Sequence, residues 1–217
     1  AITTAAEILR GGGLVAIPTE TVYGLAANAL DGEAGKKIFE AKGRPNDNPL
    51  IVHVSSLEEI DPLVESVDPR LYKLAEKYWP GPLTVILKKS SLIPNEVSPN
   101  LNTVALRMPS HECARAIIRE AGVPLAAPSA NASGKPSPTR AAHVIEDLDG
   151  KIDAVVDGGE SDVGVESTVV TLVTDPPTLL RPGGITPDQL VDVLGELNIS
   201  SAVFEKLKDG EQAQSPG

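Results

Sequence analysis

The chain has 217 residues, 41% of them hydrophobic and 23% charged, with a formal charge of −11. That length fits one domain with or without a tail, and that composition excludes a disordered chain. A protein that coats a nucleic-acid backbone carries a basic surface, so any positive charge at work here must be local, inside a cleft.

From the N-terminus, residues 3–10 read as a helix that Thr3 or Thr4 can cap and that Gly11-Gly12-Gly13 stops. Residues 14–17 make a short apolar strand ending at Pro18. Asp31 is placed to cap a helix that runs to Lys42. The stretch 50–54 reads as a buried strand, because its apolar residues continue without alternation. Helical stretches are expected near 57–64 and 69–78, the second closed by Pro80-Gly81-Pro82. Strands at 84–87 and 103–108, a helix at 112–120, a strand at 125–127 and a helix at 139–148 follow. Strands rich in β-branched residues at 152–156 and 168–173, a short one at 179–180 and an amphipathic helix at 187–194 complete the set.

Interleaved strands and helices give the α/β class. The alternation is imperfect, since 84–87 and 103–108 are joined by a Pro/Asn-rich loop without a helix, and a mixed sheet is therefore expected. The residues divide into a domain over 1–204 and a polar tail over 205–217, which reads as the start of an interdomain linker. Cys113 is the one cysteine, which excludes an internal disulfide framework and a cysteine-based zinc site and fits a reducing cytoplasm. No apolar run has the length of a bilayer span and no signal-peptide pattern is visible, so no membrane partner is expected.

Four junctions share one shape, an apolar strand followed by a small polar cluster: Pro18 to Gly24, Lys42 to Pro45 with Asn48-Pro49, Pro128 to Asn131, and Gly164 to Thr168. In open α/β sheets ligands gather at strand ends, so four such loops point to one shared cleft. Lys42 and Arg44 supply a point charge and a planar fork for phosphate oxygens, although a solvated helix end accounts for the pair equally well. His53 inside an apolar strand is either a hydrogen-bonded core histidine or a ligand for a small polar molecule. With His111 and His143 isolated, it has no metal-binding spacing.

Arg107 after three apolar residues is either an exposed strand end with a surface salt bridge or a buried carboxylate clamp. Ser129 and Asn131 can hold phosphate or ribose, or simply cap a turn. Arg181 precedes Pro182-Gly183-Gly184, a turn whose backbone N–H groups can take an anion. Ser167-Thr168 lacks a neighbouring His/Asp relay, and the motifs of P-loop ATPases and α/β-hydrolases are missing. From the residues alone the reading ends at an acidic α/β protein with a local cationic cleft for a phosphorylated small molecule.

Seven segments taken in order carry a resemblance. They are Ala16 to Leu25, Ile38 to Pro45 with Asn48-Pro49-Leu50, Trp79 to Thr84, Val104 to Pro109, Ala127 to Asn131, Gly164 to Thr168, and Leu180 to Gly183. Together they resemble the YrdC/Sua5 family. The resemblance implies a twisted mixed sheet flanked by helices around a large concave cavity. It implies a nucleotidyltransferase that joins L-threonine, bicarbonate and ATP into threonylcarbamoyl-AMP and pyrophosphate, for t6A modification of tRNA. Mg²⁺ would arrive with ATP, and no protein metal site is implied.

By the family pattern Lys42, Arg44, Asn48, Thr103, Ser129, Asn131, Ser137 and Arg181 face ATP, with Lys42 and Arg44 catalytic. Thr19, His53, Arg107, Ala127 and Ser167 cradle threonine. A separate threonylcarbamoyl transferase complex would take the product, and direct tRNA binding is not expected of so acidic a chain. The competing readings are an RNA-binding module of the same fold, a non-catalytic nucleotide binder, and the carbamoyl-transfer domain of hydrogenase maturation proteins, whose fused cysteine-rich domains have no counterpart here.

Overall fold

The structure, a computed structural model, describes residues 1–43, 45 and 48–208, and for 206–208 the backbone only. Among the described residues ten strands form one sheet in the order β10-β9-β8-β4-β5-β3-β6-β2-β1-β7. The strands are β1 (Val15–Ile17), β2 (Gly24–Asn28), β3 (Ile51–His53), β4 (Leu83–Lys88) and β5 (Thr103–Arg107). The others are β6 (Leu125–Ala126), β7 (Ala154–Val155), β8 (Thr168–Thr171), β9 (Thr178–Arg181) and β10 (Asn198–Ile199). β3 runs parallel to β5, β4 parallel to β8, and β4 antiparallel to β5, so the sheet is mixed as the missing helix between β4 and β5 requires.

The helices are α1 (Ile2–Arg10), α2 (Gly32–Lys42), α3 (Pro69–Tyr78), α4 (Glu112–Ala121), α5 (Ala141–Leu148), α6 (Pro187–Leu194) and α7 (Ser201–Lys208). Local chemistry fixes several ends. The Asp31 carboxylate accepts from the N–H groups of Glu33 and Ala34, and Gly43 closes α2 at φ +71°, a left-handed conformation that favours glycine. Thr186 and Gln189 form a reciprocal capping box at α6.

Three expectations need correction. Thr3 and Thr4 lie inside α1, which starts from Ala1 without a side-chain cap. The helix expected over 57–64 is two 3-10 turns, Leu57–Glu59 and Asp61–Leu63. Glu59 there accepts from Ser55 and Ser56, and Pro62 has no N–H for a longer ladder. β2, β10 and α7 were not anticipated. α7 crosses the boundary drawn at Glu205, and 209–217 lie outside the described residues.

Strand alternation divides side chains between two faces. One face carries Val52, Val85, Val104, Leu106, Val170 and Leu179 into the main core, where α2, α3, α5 and α6 bury them with Ile38, Leu74, Val144 and Leu190. The other face is covered at one end only. There α1 and α4 bring Leu9, Ile117 and Ile118 onto Val15, Ile17, Ala26 and Leu125. Beyond β6 no helix among the described residues covers that face, which stays open as the floor of a cavity. Among the described residues no helix is long and apolar enough to cross a membrane.

Candidate active site

The uncovered half of the sheet forms the floor of a cavity of about 260 Å³. Ile51 and His53 of β3, Ala105 and Arg107 of β5, Ile86 of β4, Val169 of β8 and Leu180 of β9 present their side chains to it. The walls are the loops after β1, β6 and α2 and the segment leading into β8, which contribute Thr19, Thr21, Ser129, Asn48, Glu166 and Ser167.

A polar row crosses this apolar floor. His53 pairs in register with Arg107, and Arg107 with Thr84. Arg107 is buried, which removes the reading of an exposed strand end. Its Nη1 donates to Thr21 Oγ1 at 2.9 Å, its Nη2 donates to the Glu20 carboxylate, and its Nε donates to Gly81 O at 3.3 Å. The second Glu20 oxygen accepts from the Ser110 N–H at 3.0 Å. Burial pushes the Arg107 pKa down, and the Glu20 charge opposes that shift. His53 is pushed down to about 3, first by burial and then by the Arg107 cation. Its Nδ1 lies 3.0 Å from Ile51 O, and because a carbonyl can only accept, Nδ1 donates. The ring is therefore a neutral hydrogen-bonding group at physiological pH.

Two further clusters flank this row, one beside β6 and one beside β8 and β9. Lys42 is buried at the end of α2, which removes the solvated-helix-end reading of this residue. Its Nζ donates to Ser129 O and lies 3.5 Å from Ser129 Oγ. Ser129 Oγ donates to Asn131 Oδ1 at 2.5 Å, and Asn131 Nδ2 donates to Ala132 O and Lys135 O, both at 2.9 Å. Arg181 donates from Nε to Ser167 O at 2.9 Å, from Nη1 to Glu166 Oε2 at 2.8 Å and from Nη2 to Ser167 Oγ at 3.0 Å. Ser137 Oγ donates to the other Glu166 oxygen at 2.6 Å, and Thr84 Oγ1 lies 2.7 Å from Ser167 Oγ.

Eight residues singled out in the sequence line the cavity: Thr19, Asn48, His53, Arg107, Ala127, Ser129, Ser167 and Arg181. Lys42 and Asn131 stand behind Ser129, and Ser137 behind Glu166. Thr103 begins β5, two and four residues from Ala105 and Arg107, and so shares their face at its outer end. Arg44 lies outside the described residues. Sequence reasoning passed over Glu20, Thr21, Thr84 and Glu166, although a buried and a half-buried arginine require anionic partners, and Glu20 and Glu166 sit in junctions already marked.

A family model, Sua5/YciO/YrdC, described as telomere recombination, matches residues 7–183. A protein of Pyrococcus abyssi named threonylcarbamoyl-AMP synthase is 53% identical over 100% of this chain and 63% of its own length. A protein of Bacillus subtilis with the same name is 51% identical over 100% of this chain and 62% of its own. The crystal structure of P. abyssi Sua5 complexed with L-threonine superposes with a TM-score of 0.91 at 54% identity, over 94% of this chain and 60% of that one. The chain thus spans about six-tenths of the length of these relatives. The matched residues run from α1 through the turn after β9 and include every wall of the cavity, so the chain belongs to the Sua5/YciO/YrdC family.

Proposed function

We propose that residues 1–204 are the catalytic domain of an L-threonylcarbamoyladenylate synthase, a nucleotidyltransferase that makes threonylcarbamoyl-AMP and pyrophosphate from L-threonine, bicarbonate and MgATP. The observation that carries this reading is the meeting of two unlike polar clusters in one cavity. One is a buried arginine beside a neutral histidine. The other is Arg181 with the hydroxyl groups of Ser167 and Ser129 in the cavity walls, Lys42 standing behind Ser129.

The first cluster suits an amino acid. The Arg107 guanidinium takes the threonine carboxylate, and Thr19, His53, the backbone at Ala127 and Ser167 surround the rest. The neutral His53 ring can exchange a hydrogen bond with threonine without adding a second charge beside Arg107. The second cluster suits a nucleotide. Lys42, Arg44 and Arg181 meet the phosphates, and Asn48, Ser129, Asn131, Ser137 and Thr103 hold phosphate, ribose or base. The apolar strip of Ile86, Ala105, Val169 and Leu180 offers a flat face for a purine.

In the reaction the threonine amine, as free base, attacks CO₂ derived from bicarbonate, or bicarbonate itself with loss of hydroxide, and the N–H proton released passes to that hydroxide or to solvent, leaving a carbamate. A carbamate oxygen then attacks the α-phosphorus, and pyrophosphate departs with the electrons of the broken P–O bond. Charge gathers on phosphate oxygens, so positioning and cationic stabilisation carry the rate. Lys42 and Arg44 are the catalytic cations. Among the described residues no three His, Cys, Asp or Glu side chains cluster as metal ligands. Mg²⁺ enters on the nucleotide as part of the substrate.

The product belongs to t6A modification of tRNA in the cytoplasm and passes to a separate threonylcarbamoyl transferase complex. The charge of −11 disfavours direct tRNA binding. The test is mass detection of threonylcarbamoyl-AMP after mixing the protein with MgATP, threonine and ¹³C-bicarbonate. Product carrying the label, and pyrophosphate release that needs all three substrates, are expected. Pyrophosphate release independent of threonine would overturn the reading.

A further inference from the structure

The two cavity arginines are paired differently. Arg107 and Glu20 are sealed, with side chains 4% and 8% exposed, and Glu20 is fastened a second time by the Ser110 backbone. Arg181 and Glu166 are 17% and 14% exposed, and Glu166 itself lines the cavity. Its two oxygens hold one group each, the Ser137 hydroxyl and the Arg181 guanidinium, from segments far apart in the chain. Both are groups that the proposed reading assigns to the nucleotide.

A carboxylate with two oxygens spanning a hydroxyl and a guanidinium makes the same contacts as one phosphate edge. The backbone beneath it is pinned. A Cβ on Gly183 would come within 2.5 Å of Thr168 N and 2.6 Å of Glu166 O, so the Pro182-Gly183 turn packs directly on residues 166–168.

We propose that Glu166 is an internal competitor of the nucleotide's phosphates, holding Ser137 and Arg181 until a polyphosphate takes them. This rests on the function proposed above. Burial lowers the Arg181 pKa and the Glu166 charge opposes that shift. After the chemical step the same carboxylate returns to Arg181 and helps expel pyrophosphate, which departs carrying several negative charges. The exchange costs ground-state affinity and favours release, and binding energy spent on the ground state does not speed the chemical step.

The test is Glu166→Gln, which keeps the shape and one of the two hydrogen-bond acceptors and removes the charge. MgATP and pyrophosphate are titrated calorimetrically, with threonine as a control. Pyrophosphate and MgATP are expected to bind roughly ten-fold tighter, with a much smaller change in threonine affinity and with both KM for ATP and kcat lowered. A residue that merely supports the site would weaken binding when altered, so weaker or unchanged pyrophosphate binding overturns the proposal. Glu166→Asp retains the charge and is expected to lack the gain; tightening there as well would assign the effect to packing and overturn it too.

If Glu166→Gln does not fold, arginine-¹⁵N NMR of the unaltered protein decides. The Arg181 side-chain resonance is expected to move on adding pyrophosphate, and a stationary resonance overturns the exchange. An unaltered protein that binds neither MgATP nor pyrophosphate instead removes the proposed function itself. Normal binding with no gain in Glu166→Gln removes only the competitor.

Discussion

The two halves of one sheet face carry similar residues and meet different fates. Across β6, β2 and β1, Leu125, Ala26, Val15 and Ile17 are buried beneath α1 and α4. Across β3, β5, β4, β8 and β9, Ile51, Ala105, Ile86, Val169 and Leu180 point to the same side and stay partly open to the cavity. Alternation alone does not tell the halves apart, because both read apolar. The difference lies in the polar groups. Among the described strands the covered half has only Asn28 on that face, at the end of β2 where it accepts from the Leu30 N–H, whereas the open half inserts His53, Arg107 and Thr84 in one central row, each needing partners that a helix of leucines and isoleucines cannot give. An apolar sheet face left open beside a row of satisfied polar groups is the shape of a ligand site.

The strongest way to break this contrast is at the one point where the open half behaves as core. Arg107→Ala removes the cation and leaves Glu20 buried against Ser110, which is expected to cost about 3–5 kcal/mol in urea denaturation and to abolish threonine binding. A loss below about 1 kcal/mol would mean that the pair behaves as a surface ion pair. Next, Ile118→Ala beneath the covered half should cost about 2–5 kcal/mol without changing threonine affinity. Ile86→Ala on the open half should cost about 1 kcal/mol or less. Equal losses at the two positions would erase the distinction.

His53 gives a third test through pH. Its pKa is about 3 in the folded chain against 6.5 for a free imidazole, so the unfolded chain binds the proton first. Stability is therefore unaffected by this group above about pH 6.5 and is lost as pH falls toward about 3. Roughly 2 kcal/mol goes between about pH 6.5 and about pH 5. The loss should be smaller in His53→Asn when the two proteins are compared in parallel denaturation series. Imidazole NMR should show no protonation of His53 down to about pH 5. A titration near the free value would place the ring in water.

Much of this was legible where the cause is local. Asp31 and Gly43 bound α2 by capping chemistry written into neighbouring residues. His53 and Arg107 stood out because charged or polar groups interrupt apolar strands. β2 was not legible: Gly24-Leu25-Ala26-Ala27-Asn28 carries little strand propensity of its own and becomes a strand by pairing with β1 and β6, the latter about a hundred residues away. The carboxylates failed to stand out for the same reason. Glu20 and Arg107 are 87 residues apart and Glu166 and Arg181 15 apart, so the fold chooses the partner and no spacing announces it.

The smallest expected effect is the most discriminating for the open half. Leu180 is 43% exposed on the cavity side of β9, while its neighbour Leu179 is fully buried on the other. A polar residue at Leu180 gives up little burial, so Leu180→Ser should change stability by no more than about 0.5 kcal/mol. The same change removes part of the apolar strip offered to the base, so MgATP affinity should fall several-fold while threonine affinity holds. Calorimetric titration beside thermal denaturation of the one variant reads both effects. A stability loss approaching that at Ile118 would mean that this face is buried in solution. Unchanged MgATP affinity would mean that the base lies elsewhere in the cavity. The expected pairing, a silent fold and a weakened nucleotide, arises only if the strip is open to a ligand and in contact with it when bound.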